Sequence, residues 1–90
     1  MPTLRIPAPL RSYTAGRGEV PVQGETVGEI MQDLIRCYPT LQPHLFSSAG
    51  DLRPFVNLFV GENNIRDLQG LDTPLAADAR VLLIPSIAGG

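Results

Sequence analysis

The chain has 90 residues, of which 43% are hydrophobic, and a net charge of -2 at pH 7. This composition fits one folded domain and excludes two separate cores or a disordered chain, and the acidic balance argues against nucleic acid as a partner. With one cysteine, Cys37, and one histidine, His44, we expect no internal disulfide and no metal site.

The hydropathy pattern also bears on membranes. No apolar run approaches the ~18 residues of a membrane span, and no basic segment followed by an apolar run opens the chain. We therefore expect a cytoplasmic protein with no membrane partner.

Two short segments near the start of the chain alternate apolar and polar residues, which is the period of half-buried strands. They are residues 3–7 and 19–23. Because Pro21 cannot donate to a ladder, the second strand is expected at an edge of the sheet. Residues 11–18 between them contain two glycines and are interpreted as a hairpin connection.

The clearest helix signal begins at Thr26. The segment T-V-G-E fits a capping box, in which the Thr26 hydroxyl accepts from the N–H of Glu29 and the Glu29 side chain reaches back. Apolar residues follow at helical spacing over residues 27–35, and Pro39 ends the pattern. Cys37 is placed on the apolar side and is expected to be buried as packing; the alternative, a reactive thiol, would need an exposed and basic setting.

The second half of the chain predicts further strands joined by short connections. We expect a helical turn at 41–46, a strand at 54–61, a hairpin turn at 62–64 with asparagines at positive φ, a short returning strand at 65–68, and a last strand at 80–85. A further helical turn is predicted at 71–75, with Thr73 as its cap and Pro74 as its first residue.

This order of elements predicts an α+β fold with two layers, a mixed sheet around one main helix. A right-handed crossover then places the last strand parallel to the first. We expect residues 1–85 to form the domain and residues 86–90 to form a flexible tail.

The tail ends in Gly89-Gly90 and follows an apolar strand with no linker between them. Five residues beyond Pro85 can extend about 17 Å. Glycine has no Cβ, so this end could pass through a narrow slot and present its carboxylate without steric cover. A frayed terminus is the alternative interpretation; the position of the tail favours a carboxylate that is modified in the active site of another protein.

A second candidate site lies on the sheet. The last strand is apolar on both faces, and one helix can cover only one of them, so Leu82 and Ile84 are expected to point away from the helix. The same alternation along the strand predicted at 54–61 places Phe59 on the uncovered face. These three residues form a candidate partner surface, unless a loop covers them in the monomer.

Four further stretches form a recognisable pattern: F-V-N-L-F-V-G at 55–61, Ile65-Arg66, L-x-T-P-L at 71–75, and V-L-L-I-P-S-I-A-G-G at 81–90. With this pattern the chain resembles the β-grasp sulfur carriers, which are relatives of ubiquitin. This family includes the small subunit of molybdopterin synthase, the thiamine-pathway carrier and the carrier of cysteine biosynthesis.

Two features favour the cysteine-biosynthesis carrier within this family. Residues 55–61 and the loop at 47–53 are most similar to it. Ser86 stands where many molybdopterin-synthase subunits have a second proline, which weakens that assignment.

The resemblance implies a ubiquitin-like β-grasp fold, with a sheet of four to five strands on one main helix and short helical turns. It also implies a carrier and not an enzyme: an E1-like enzyme uses ATP to adenylate the Gly90 carboxylate, which a sulfur donor then converts to a thiocarboxylate. The carrier itself needs no bound cofactor. The residues expected to contact partner enzymes are Ser86, Ile87, Ala88 and Gly89 in the tail, with Phe59, Leu82 and Ile84 on the sheet.

The sulfur acceptor is then a cysteine-synthase-like enzyme or, in the alternative, the large subunit of molybdopterin synthase. Two functions of other classes stay open. One is a protein modifier joined to targets by isopeptide bonds, and the other is a non-covalent binding module that uses the sheet.

Overall fold

The computed structural model describes residues 1–85. These residues form one five-stranded mixed sheet with the strand order β2-β1-β5-β3-β4. The strands are β1 Thr3–Arg5, β2 Glu19–Pro21, β3 Val56–Val60, β4 Asn63–Asn64 and β5 Arg80–Pro85, and the α-helices are α1 Val27–Cys37 and α2 Gln42–Leu45. Short 3-10 helices span Ala8–Thr14, Pro39–Leu41, Ile65–Asp67 and Gly70–Asp72.

Strand β5 lies at the centre of the sheet. It pairs parallel with β1, as the crossover rule predicts, and antiparallel with β3. Strand β2 lies at one edge, which confirms the prediction made from Pro21. The sequence therefore anticipated both the direction of the last strand and the position of the proline-containing one.

Helix α1 covers one face of the sheet and begins with the predicted cap. The Thr26 Oγ1 accepts a hydrogen bond from the Glu29 N–H at 3.2 Å. The returning carboxylate reaches one residue further than a standard capping box, because Glu29 Oε1 accepts from the N–H of Glu25 at 2.7 Å. The core between the two layers includes Leu4, Val20, Val27, Ile30, Met31, Leu34, Val56, Leu58, Val81 and Leu83.

The connection between β1 and β2 differs from the prediction. It contains the 3-10 helix Ala8–Thr14, which has a proline in its first turn and ends at Ala15 with a φ of 57°. The Thr14 hydroxyl is buried and lies 2.9 Å from the carbonyl oxygen of Arg17, to which it donates. This local hydrogen bond helps to close the loop.

The predicted returning strand at 65–68 is wrong. Strand β4 is formed by Asn63–Asn64, and Asn64 Oδ1 then accepts from the N–H of Arg66 at 3.0 Å, which starts a 3-10 helix. The residue at positive φ in the β3–β4 turn is Gly61, with a φ of 63°, and not one of the asparagines.

The helical turn predicted at 71–75 lies earlier in the chain. It spans Gly70–Asp72, and Thr73 closes its end instead of capping its start. The Thr73 Oγ1 donates to the carbonyl of Gly70 at 2.7 Å and accepts from the N–H of Gln69 at 3.1 Å. A hydroxyl can act at either end of a turn, and the sequence does not distinguish the two cases.

Cys37 is exposed, so the prediction that it is buried is wrong. It is the last residue of α1, and the following 3-10 helix places Leu41 in the core at this end of the molecule. In the described part of the chain, neither helix is long and apolar enough to cross a membrane.

Candidate tail anchor and open sheet face

The strand that leads into the predicted tail is paired with β1 over residues 80–82 and with β3 over residues 81–85. Pairing between β3 and β5 continues to the end of β5, where Val56 lies opposite Pro85. Val81 and Leu83 are 1% and 0% exposed, which places them in the core under α1. The body of the protein therefore fixes the chain up to Pro85. The predicted site residues Ser86, Ile87, Ala88, Gly89 and Gly90 lie outside the described residues.

The face of the sheet away from α1 carries the predicted apolar residues. Leu82 and Ile84 are 36% and 40% exposed, while Phe59 is half-buried. Phe59 lies directly opposite Leu82 in the β3–β5 register, so the two side chains are cross-strand neighbours on one face. We call Phe59, Leu82 and Ile84 the apolar patch. No loop within residues 1–85 buries Leu82 or Ile84.

A polar clamp borders the apolar patch. Asn57 lies opposite Ile84, and its Oδ1 accepts hydrogen bonds from Arg66 Nη1 at 2.7 Å and from Asn64 Nδ2 at 3.2 Å. Arg66 Nη2 also donates to the carbonyl of Arg53 at 3.2 Å. These bonds tie the segment after β4 to β3 and give the patch a rigid polar rim.

Three exposed residues beside the patch were not among the predicted site residues. Phe55 precedes β3 and is 42% exposed, and Arg5 and Arg80 lie on β1 and β5. Phe55 could have been found from the same alternation as Phe59. Arg80 shares the alternation of Leu82 and could have been found in the same way. The position of Arg5 beside Leu82 could not, because the register between β1 and β5 has no local signal in the sequence.

Within residues 1–85, no three histidine, cysteine, aspartate or glutamate side chains are close enough to hold a metal ion. The His44 ring packs against Tyr13, with ring centroids 4.4 Å apart.

Helix α1 carries an ion pair between Arg36 and Asp33. The hydrogen bond from Arg36, with a second from the Gln23 N–H, holds the pKa of Asp33 below its ordinary value, and the same contact raises the pKa of Arg36. This pair belongs to the helix and not to the open sheet face.

Comparison with known proteins identifies the family. The sequence profile of the ThiS family matches residues 4–90, which is nearly the whole chain. The chain belongs to the ThiS family. Among curated relatives of this ThiS-family protein, the sulfur carrier protein CysO of Mycobacterium tuberculosis is 37% identical over 90 aligned residues, which cover 98% of this chain and 97% of the relative.

Solved structures confirm the ubiquitin-like β-grasp fold of this ThiS-family chain. A chain in the crystal structure of the Amycolatopsis orientalis BexX/CysO complex has a TM-score of 0.90 and 29% identity, with all of both chains covered. The small archaeal modifier protein 1 of Methanosarcina acetivorans has a TM-score of 0.85 and 30% identity, with 99% of this chain and 95% of that chain covered. The α+β mixed sheet predicted from the order of elements is therefore confirmed.

Proposed function

We propose that this ThiS-family protein is a sulfur carrier whose Gly90 carboxylate is converted to a thiocarboxylate. The observation that carries the proposal is the extent of the family match, which runs through residue 90 and so includes the diglycine. The relative CysO is described as a sulfur carrier protein. In this protein the diglycine follows a central strand that is paired with β1 as far as Leu82 and with β3 as far as Pro85.

The chemistry requires activation by another protein. A carboxylate is a poor electrophile because its negative charge repels nucleophiles, and an E1-like enzyme would use ATP to form an acyl-adenylate at Gly90 with release of pyrophosphate. A sulfur nucleophile then attacks the carbonyl carbon, a C–S bond forms, and the C–O bond to AMP breaks. ATP is a substrate of that enzyme, and the carrier supplies no catalytic group of its own.

The contribution of the carrier is presentation. The five residues after Pro85 span at most about 17 Å when extended, which is enough to cross a narrow channel into a neighbouring active site. Gly89 and Gly90 have no Cβ and admit close approach of the enzyme to the terminal carbonyl. We place Ser86, Ile87 and Ala88 in the channel as contacts that guide the terminus.

The apolar patch would supply docking energy for both the activating and the accepting enzyme. Burial of a large apolar side chain in a complex is worth roughly 1.5–3 kcal/mol before the costs of association. Leu82 lies on the same strand that leads to the tail, so docking on this face would also set the direction in which the tail leaves.

Cysteine biosynthesis is the pathway we propose for the sulfur. The identity to CysO supports it, and Ser86 departs from the double-proline form that is common in molybdopterin-synthase subunits. The accepting enzyme would then be cysteine-synthase-like, with the large subunit of molybdopterin synthase as the alternative.

The decisive experiment follows the mass of the intact protein. The carrier is incubated with an E1-like enzyme from the same genome, ATP and sulfide, and we expect one oxygen of Gly90 to be replaced by sulfur. A reaction without ATP is the control and should leave the mass unchanged. If no E1-like enzyme of that genome changes the mass, the sulfur-carrier proposal fails.

A protein modifier is the second candidate, because the fold is also similar to that of a small archaeal modifier protein. In this case the activated Gly90 carbonyl would form an amide with lysine amines of target proteins, with AMP as the leaving group. Tagged carrier expressed in its own cells would then give adducts that survive thiol reductants. After trypsin these adducts carry residues 81–90 of the carrier on lysine, because Arg80 is the last basic residue. A thiocarboxylate without such adducts supports the carrier function alone.

A further inference from the structure

The open sheet face carries two arginines beside the apolar patch. Arg5 lies opposite Leu82 in the β1–β5 register, and Arg80 lies opposite Thr3. Arg5 and Arg80 are both exposed and are offset by two residues on neighbouring strands, so they share the face of Leu82 and their Cα atoms are about 8 Å apart. An exposed leucine is thus flanked by two guanidinium groups.

These arginines border a groove. It has a volume of about 450 Å³, and its lining includes Thr3, Arg5, Glu19, Gly61, Arg80 and Leu82. Gly61 follows β3 directly, and a Cβ at this position would meet no atom within 4 Å, so the space beside it is open.

A second recess extends the positive surface past Arg5. It has a volume of about 420 Å³ and is lined by Arg5, Arg11, Gly18 and Glu19. Arg11 is held in place because its Nε donates to the carbonyl of Ile6 at 3.1 Å. Three arginines and one carboxylate therefore line the two hollows, although the whole chain has a net charge of -2.

We call Arg5, Arg11 and Arg80, which line these two hollows, the arginine strip. No ion pair within the described residues neutralises its positive charge. Among residues 1–85 the ion pair is Arg36 with Asp33 on α1, and neither Arg5 nor Arg80 takes part in one. Glu19 lies across from Arg5 in the β1–β2 register without forming an ion pair with it.

A partner that covers Leu82 must also cover the edges of this strip. Removing a guanidinium group from water costs free energy unless a charged or hydrogen-bonding group replaces the water. A purely apolar partner surface would leave Arg5 and Arg80 without such replacement. Carboxylates suit the site because guanidinium binds them through paired N–H donors.

We propose that the protein partner of the open face presents carboxylates to Arg5 and Arg80 while its apolar side chains cover the apolar patch. The proposal rests on the proposed function, since the partner is the E1-like enzyme that docks on this face. The phosphates of a nucleic acid could also pair with arginines, but the exposed leucine between them and the net negative charge of the chain favour a protein.

The test uses matched neutralisations. Arg5→Gln and Arg80→Gln each remove one positive charge from the strip, and Arg36→Gln removes one from α1 as the control. We measure the Kd of the full carrier for the E1-like enzyme at low and high salt, with thermal unfolding recorded for each variant.

Arg5→Gln and Arg80→Gln should each weaken binding about 3–10-fold at low salt, and the loss should shrink at high salt because exposed charges are screened. Arg36→Gln should bind as the wild type does. Glu19→Gln should have the opposite effect and tighten binding, since it removes a negative charge that faces the acidic partner.

The proposal of an acidic partner would be overturned if the Arg5, Arg80 and Arg36 variants bound equally well. Weaker binding by Glu19→Gln would overturn it too. Competition by a single-stranded oligonucleotide for the wild-type carrier would overturn it in favour of nucleic acid. The two proposals fail separately. If the thiocarboxylate forms but binding does not depend on the arginines, only the proposal of an acidic partner is rejected. If binding depends on the arginines but no thiocarboxylate forms, only the sulfur-carrier proposal is rejected.

Discussion

At the scale of single residues, the start of α1 depends on one hydroxyl. Thr26 Oγ1 accepts the Glu29 N–H, which has no partner within the helix. We predict that Thr26→Ala lowers the free energy of unfolding by about 1 kcal/mol. Urea denaturation measures the loss, and Thr26→Ser, which keeps the hydroxyl, should recover most of it. Equal losses in both variants would assign the effect to the threonine methyl group instead.

Asp33 couples stability to pH. Its pKa lies below the ordinary value of 3.8 because Arg36 and the Gln23 N–H stabilise the carboxylate. A lowered folded-state pKa gives stability that is present above the unfolded value and lost as the pH falls through the folded one. At pH 6 we expect Asp33→Asn to be less stable than the wild type by up to about 1 kcal/mol.

This difference should narrow as the pH falls below 3.8, the ordinary value of the carboxyl. Chemical denaturation of both proteins from pH 6 to pH 2.5 measures it, and the difference isolates Asp33 from the other carboxylates. A gap of constant size over the whole range would contradict the assignment of the stabilisation to the ionised form.

At the scale of elements, β5 has two faces with different tasks. Leu83 is fully buried under α1, whereas Leu82 is 36% exposed on the open face. We predict that Leu83→Ala costs about 2–5 kcal/mol of stability, because it removes core contacts and leaves a cavity. Leu82→Ala should cost less than about 1 kcal/mol, since little of its contact surface lies in the core.

The same pair separates stability from docking. Leu82→Ala should weaken binding of the activating enzyme, and its unfolding curve should stay close to that of the wild type. Denaturant unfolding and binding assays on both variants test this division. A large loss of stability in Leu82→Ala would mean that the open face supports the fold itself.

At the scale of the whole molecule, the body and the tail have separate roles in the proposed function. The sheet holds the chain up to Pro85, and the chemistry belongs to the terminus. We predict that one alanine added after Gly90 abolishes thiocarboxylate formation, because the reacting carbonyl is displaced and the new terminus carries a Cβ. Intact mass after the sulfur-transfer reaction measures this.

The extended protein should unfold at the same temperature as the wild type, since five residues lie between the addition and the end of β5 at Pro85. Removal of Gly90 shortens the chain by one residue instead of lengthening it, and it should also stop thiocarboxylate formation. If either variant formed the thiocarboxylate at the wild-type rate, the activating enzyme would not require the terminal carboxylate at the position of Gly90.

The sequence alone determined the features that depend on local periodicity. Alternation over 80–85 predicted which side chains of β5 point to the helix and which to the open face, and burial confirms it. The capping residue Thr26 and the spacing that follows it located α1 within one residue of its ends. These signals are local because one residue's direction in a strand or helix fixes that of its neighbours.

Only the tertiary structure decided the register between strands and which small polar groups end the turns. The Arg5–Leu82 register joins residues from opposite ends of the chain, and no local pattern encodes it. Thr73 was predicted to cap the start of a turn and closes the end of one instead, and Asn64, predicted at positive φ, caps a 3-10 helix. Cys37, the last residue of α1, is exposed, while Leu41 after the helix is buried. The strip of arginines beside Leu82 therefore exists only in the folded sheet.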